Sequence, residues 1–505
     1  MPRVLVFICV LLSAATLLAD EPEFCISGTV LNDSTGEPLR RAAVTIPQSA
    51  ALTDAAGAFR FCHLPAGAYY AHAEKPGFAP TGLRVALGPS REDLILRPRP
   101  LGIVTGKVVD AAGEPLRSVL VQVLAIRVLE GRRKVRVDGA AVTDDRGEYR
   151  LAGLAAGRYF LRAAGWADGG PSDADSEEAF APVYYGGAAE LAAASAITVE
   201  AGRDPRADFS VSLRGGNRIR GVLAGFSPLL PAKIELLGAD EEPSGAPVVM
   251  DAATGAFHID SVAPGSYILR ATQGNAVSRG ELPLQVTAGM KALTVPLAGA
   301  ITLKGMVRLA AASGEVPPQA PNCAIKLSPA SPWISGDDPL EGDTEPSGEF
   351  AIEAVLPGRY RIAMDCAGGY ISAARMGETD LLASGEVTIA PSTPPPPIEA
   401  LLASDGGTVD VTASSEGDAG PAWVLLLPAS GSDLHTRLAR LSAKLTFSGV
   451  APGDYQAYGW TGAAEAFEYA NAGVRQAWAA RAVSVHIGER DRQSVALKIA
   501  PGEAP

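Results

Sequence analysis

One segment recurs five times along this chain, and it constrains the fold more than any other feature. Its clearest copy runs from Asp144 through Gly147, Tyr149, Leu154 and Gly157 to Tyr159. Gly57 and Gly67 hold the same relation as Gly147 and Gly157, Gly255 and Gly265, and Gly348 and Gly358; a further copy keeps Gly453 and has Ala443 in the first place. Two residues after the first position stands Phe59, Tyr149, Phe257, Phe350 or Leu445. Two after the second glycine there is always a tyrosine: Tyr69, Tyr159, Tyr267, Tyr360 or Tyr455. The first glycine follows an Asp- or Ser-containing turn, where it takes a positive φ without a Cβ clash. Phe59 and Phe61 then alternate with Arg60, the period of a half-buried strand. The Pro-Gly or Ala-Gly step that follows is a turn signature. A tyrosine entering the next strand there can bury its ring and return its hydroxyl to the backbone, so these five are read as structural.

The copies lie roughly 90–110 residues apart, the length of one β-sandwich domain. Domains are therefore expected at 20–99, 100–215, 216–299, 300–403 and 404–505, behind a segment 1–19. Apolar residues make up 47% of the chain, enough for several cores, and 55 glycines and 39 prolines supply turns; together they argue for an all-β chain and against disorder. A net charge of −13 argues against nucleic acid as a partner, because phosphate binding needs a basic face.

Arg3, the apolar run 4–12 and a small residue at Ala15 or Ala19 read as a secretory signal, since the run is shorter than the ~20 residues of a spanning helix. No second long apolar stretch follows. The mature chain is expected to be exported, without a transmembrane segment, to the periplasm, cell surface or medium. The second domain carries an insertion near 165–195. Proline-rich 391–397 is expected to be extended, and 433–444 and 464–481 are the helix-like stretches of the fifth domain.

Three segments carry a family resemblance. Ile26-Ser27-Gly28-Thr29-Val30 opens the first copy and Val104-Thr105-Gly106-Lys107-Val108 the second. Gly36-Glu37-Pro38-Leu39 and Gly113-Glu114-Pro115-Leu116 precede their valine-rich strands, and the Asp-x-x-Gly-x-Phe to Pro-Gly-x-Tyr hairpin follows. In these segments the chain resembles the carboxypeptidase regulatory-like domain, a transthyretin-like sandwich. Domains three and four lack the Gly-Glu-Pro-Leu segment, and the fifth keeps mainly the second half of the hairpin. The resemblance implies an all-β tandem array of about five seven-stranded Greek-key sandwiches, transthyretin- or immunoglobulin-like, after a signal peptide, as in exported bacterial proteins. In the family such domains accompany peptidases, outer-membrane receptors and carbohydrate-active enzymes, and the broader superfamily includes starch-binding modules. The implied role is an exported, non-catalytic binding or spacing protein with a carbohydrate or an envelope protein as partner. The alternatives are a carbohydrate-binding protein and an accessory or regulatory chain of a peptidase or cell-surface complex.

The chemistry-bearing residues agree with this role. His486-Ile487-Gly488-Glu489 spells half of a zinc carboxypeptidase pair, but the further histidine such a site needs downstream is missing from the sequence. His63 and His72 share one hairpin without a carboxylate or thiolate constellation. Asp173, Asp175 and Glu177 alternate but lack the glycine and distal glutamate of a calcium loop, so a solvated acidic loop is the better reading. No catalytic residue, metal site or cofactor is expected. The candidate ligand-binding residues are the aromatics of the insertion, Trp166, Phe180, Tyr184 and Tyr185. Exposed, they would stack on sugar rings or peptides; the alternative is that they fold back over a sandwich edge.

Behind the signal remain Cys25, Cys62, Cys323 and Cys366, two in the first domain and two in the fourth. An even number in an oxidising compartment reads as disulfides. Of the three pairings, Cys25–Cys62 with Cys323–Cys366 alone stays within domains. The alternative is four buried free thiols.

Overall fold

The computed structural model describes residues 23–499 except 168–171, 174–175, 202, 240, 276, 311–320, 335–337, 392, 415–421, 431 and 442–443. The segment 1–19, expected to be a secretory signal, lies outside them. The described chain is an all-β array of sandwiches that divides into two compact bodies. One holds the residues up to Val104 with 152–157 and 198–205, the other holds 105–151, 158–197 and those from Arg206 onward.

Five repeats share one topology. Each opens on a strand, Phe24–Val30, Gly102–Asp110, Asn217–Ala224, Ile301–Leu309 or Gly407–Ser414, flanked by the first strand of the recurring hairpin and by the closing strand of its repeat. The closing strand runs parallel to the opening one in every case. The second hairpin strand crosses to the other sheet and pairs antiparallel with the valine- or leucine-rich strand, as Gly358–Cys366 does with Cys323–Pro329. Among the described residues the first and fifth repeats have seven strands in two sheets; the fourth adds Tyr370–Met376 to its closing strand Ile398–Ala403.

The repeated residues have physical reasons. Asp54 and Asp144 each accept two backbone N–H bonds across the turn, at 2.8–2.9 Å, and Gly57 and Gly147 adopt φ of 72° and 71°. In the opening strands a glycine faces the first aromatic of the hairpin, Gly221 against Phe257 and Gly305 against Phe350. A Cβ on Gly305 would stand 2.2 Å from the Phe350 ring. The fifth repeat replaces both partners, pairing Val411 with Leu445, so a larger residue on the opening strand meets a smaller one on the hairpin.

Tyr69, Tyr267, Tyr360 and Tyr455 donate their hydroxyls to the carbonyl four residues back, at 2.9–3.0 Å. Tyr159 is buried like Tyr360 and Tyr455. Burial pushes the Tyr455 hydroxyl up to about 12, as expected for a phenol kept neutral in a core. Replacing Tyr360 by phenylalanine should lower the stability of the fourth repeat by about 1 kcal/mol, the worth of one neutral hydrogen bond. Calorimetry of the variant checks it, and an unshifted transition would show that the hydroxyl contributes nothing.

One further device recurs in the five hairpins. His63, Gly153, Ser261, Ala354 and Gly449 occupy equivalent places in the five hairpins, all with φ between 55° and 82°. The ladder to the opening strand shifts beside four of them, which marks a bulge that bends the hairpin into the second sheet.

The helix expected over 433–444 is corrected. A 3-10 turn at Asp433–His435 leads into strand Arg437–Leu441, paired with Ala422–Pro428. Cross-strand pairing outweighs the weak local helical preference. The stretch 464–481 does contain helix, at Ala472–Trp478, capped by Asn471 Oδ1 accepting from Gly473 N at 2.9 Å.

The two predicted disulfides are present. Cys323 and Cys366 are directly opposite in the ladder and buried, whereas Cys25 and Cys62 are half-buried.

Candidate functional site

The second repeat extends a hairpin, Val119–Leu129 and Arg132–Val142, far beyond the length of its equivalents. Val119, Val121 and Val123 anchor it in the sandwich. Glu130 and Gly131 form its two-residue turn with φ of 51° and 67°, the positive pair that suits a tight hairpin. The tip is keyed into the fourth and fifth repeats. Glu130 bonds Lys326 and Ser328 at 2.9 Å, Arg133 pairs with buried Glu468 at 2.9 Å, and Arg132 pairs with Asp433. Lys134 Nζ donates to the Pro329 carbonyl at 3.1 Å and to that of Ser331. Val135 exchanges backbone bonds with the Pro332–Ile334 segment. Gly131 lies under the Tyr469 ring, where a Cβ would meet it at 2.3 Å.

Arg162 is the second anchor. It is fully buried, donates to Glu242, to Gln122 Oε1 at 2.5 Å and to the Pro243 carbonyl at 2.7 Å, and lies 5.1 Å from the Trp333 ring centre. Two further groups, one from the third and one from the fourth repeat, join through Glu241, which pairs with Arg270 at 2.8 Å and Arg359 at 2.9 Å.

The insertion aromatics are mostly packing residues. Trp166 is buried, donates its Nε1–H to the Glu178 carbonyl at 3.0 Å and meets Phe180 edge-on at 5.3 Å. Both border a void of about 20 Å³, room for one water and no sugar ring. Tyr184 is buried and donates to Glu242 at 2.6 Å, while Tyr185 is half-buried against Phe209. The four rings therefore form no exposed stacking face, because covering the sandwich edge removes their large apolar surface from water. Asp175 lies outside the described residues, and of Asp173 and Glu177 only the backbone is described. His63 pairs with Glu23, His72 with Glu74 at 2.9 Å, and His486 with Asp454 at 2.8 Å. Among the described residues no metal-holding cluster of His, Cys, Asp and Glu occurs, and no helix is long and apolar enough to cross a membrane.

Where the hairpin tip meets the fourth and fifth repeats, a cavity of about 730 Å³ remains. Arg132, Lys134, Lys326, Arg361 and Arg437 border it, with Glu130, Asp365, Glu386 and Asp433, and an apolar share from residues such as Ile334, Met364 and Leu434. Burial, with the charges of Arg361 and Arg132, holds the Lys134 ammonium down at about 8. Burial and Arg132 likewise lower Arg361. Burial works against the charged form of Glu130, yet the Lys326 bond and charge and the Ser328 bond keep its carboxyl below the usual range. A cavity this large can hold a small organic molecule. None of these lining residues was singled out from the sequence. The available signal was the Glu130-Gly131 turn between a valine-rich strand and the basic run Arg132-Arg133-Lys134.

The comparisons bear on the class of domain. Residues 25–95 match the family model of the carboxypeptidase regulatory-like domain, so the chain carries such a domain at its first repeat. None of the curated proteins compared matches the chain. Among solved structures it is similar to the minor pilin of Streptococcus agalactiae, at 18% identity over 37% of this chain and 95% of that one, with a TM-score of 0.22. A shaft pilin of Lactobacillus rhamnosus GG is similar at 11% identity over 38% of this chain and 96% of that one, with a TM-score of 0.21. The TIE protein of Bacillus anthracis is similar at 10% identity over 85% of this chain and 71% of that one, with a TM-score of 0.18. Likeness at this level fixes neither the arrangement of the repeats nor a function.

Proposed function

We propose that this chain is an exported, non-catalytic binding protein whose second, fourth and fifth repeats together hold a small ligand. The observation that carries the reading is the open cavity of about 730 Å³ bordered by the Glu130–Gly131 hairpin tip. The charged groups around it mostly serve as cross-links, pairing Arg132 with Asp433 and Lys326 with Glu130, which gives the cavity a fixed shape before any ligand arrives. Two disulfides support passage through an oxidising compartment. Mass spectrometry of protein recovered from periplasm or medium should find a chain beginning near Asp20 without free thiols; an intact chain confined to the cytoplasm would end the export reading.

Ala363, which lines the cavity and is exposed to it, provides the test of binding. A thermal-shift screen of the mature chain against small molecules, including mono- and oligosaccharides, should give ligands whose effect disappears in Ala363→Trp. Ligands that act equally on the plugged variant, or a screen without any, would overturn the cavity as the binding site. Turnover of a substrate that survives purification and is abolished by one point substitution would overturn the non-catalytic reading.

A further inference from the structure

Arg361 stands out among the cations of the cavity. It lies on strand Gly358–Cys366, with Ser328 on one neighbouring strand and Glu386 on the other directly opposite. Its guanidinium has no hydrogen bond or ion pair among the described residues, and its Nε is buried without a partner. Thr436 Oγ1, on a second residue bordering the cavity, is also buried without a partner. The other cations are engaged: Arg132 with Asp433, Lys326 with Glu130, Lys134 with two carbonyls, and Arg437 with the Leu434 carbonyl at 3.2 Å. A half-buried guanidinium is costly unless an acceptor reaches it; Arg132 adds to that cost, and Glu130, Glu386 and Asp433 offset part of it without bonding the group. Its planar fork matches the two oxygens of a carboxylate or phosphate.

We propose that the cavity is a receptor for a small ligand carrying one oxyanion, a carboxylate or a phosphate, on a partly apolar body, with Arg361 as the anchor. This rests on the cavity being the binding site. Lys134 adds positive charge beside Arg361, Arg132 is neutralised by Asp433, and Thr436 is placed to add a neutral donor once its hydroxyl turns. Ile334, Met364 and Leu434 receive the apolar part. Glu386 is the competitor, since its carboxylate is directly across the ladder from Arg361 but has no hydrogen bond to it.

The experiment is calorimetric titration of the full mature chain with benzoate, phenyl phosphate, inorganic phosphate and, as the neutral control, benzyl alcohol. Benzoate or phenyl phosphate should bind and benzyl alcohol should not. Whichever of the two binds more tightly identifies carboxylate or phosphate as the preferred group, and inorganic phosphate binding more weakly than phenyl phosphate would confirm the apolar share. Arg361→Gln should weaken binding by about tenfold or more, the worth of a charge-assisted bond, while Glu386→Gln should strengthen it. Lys134 faces Arg361 and Arg132, which disfavour its charge, and Glu130 and Glu241, which favour it. A bound anion favours the ammonium, so affinity should fall as pH rises from 7 to 9. Neutral ligands that bind as well as charged ones, and are blocked by Ala363→Trp but not by Arg361→Gln, would overturn the anion receptor while sparing the cavity reading. No binding by any probe would overturn the anion receptor, and the wider screen would still decide the cavity. The charged-against-neutral comparison uses the unmutated chain, so it decides even if Arg361→Gln does not fold.

Discussion

Replacing Arg162 with alanine is expected to destabilise the body that contains most of the second repeat and the third to fifth by about 3–5 kcal/mol, the cost of breaking a buried ion pair by removing one partner. The side chain is fully buried and spans three repeats. It arises on strand Gly157–Trp166, reaches Glu242 and the Pro243 carbonyl of the third repeat, and packs against Trp333 of the fourth. Alanine would leave Gln122 Oε1 and part of Glu242 without their donor and open a void beside Trp333. Tyr184, which also donates to Glu242 at 2.6 Å, would retain only part of that carboxylate's bonding. Methionine at the same place fills the volume but removes the same donor, so Arg162→Met should recover only the void's share of the loss. Calorimetric unfolding of both variants separates the explanations. Equal losses would mean that the lost donor and not the void carries the cost, and no loss from alanine would remove Arg162 as an anchor.

Replacing both Cys323 and Cys366 by serine should cost the fourth repeat about 4 kcal/mol, from the freedom regained by an unfolded chain no longer closed by a long loop. The sequence separation is 43 residues. The two cysteines face each other on the strands that border the cavity, with Arg361 on the same strand as Cys366. The variant should therefore unfold at lower temperature in the transition that includes the fourth repeat, while the first repeat's transition stays in place. Reductant applied to the native protein should act in a set order. Cys25–Cys62 is half-buried and should open first; Cys323–Cys366, buried in the fourth core, should resist until that repeat unfolds. Thiol trapping over time checks the order, and simultaneous release of four thiols would contradict it.

The sequence by itself determined the repeated architecture. Turn chemistry acts at fixed offsets, so an aspartate that closes its own turn, a glycine at positive φ and a tyrosine that bonds four residues back each appear in the linear pattern. The disulfide partners were also legible, because parity and the repeat boundaries left one pairing within domains. The bulge at His63, Gly153, Ser261, Ala354 and Gly449 was hidden, since the five residue types share no chemistry and only the ladder reveals their common φ. The strand Arg437–Leu441 was hidden because its partner Ala422–Pro428 decides its conformation. The cavity was the least legible part. Arg133 and Glu468 are 335 residues apart, and Lys134 and Ser331 are 197 apart. A basic run on a hairpin tip looks the same in sequence whether it meets solvent or another repeat. Only the packing of separate sandwiches converts those charges into cross-links and leaves Arg361 without one, because desolvation and pairing depend on which surfaces meet and not on the order of residues along the chain.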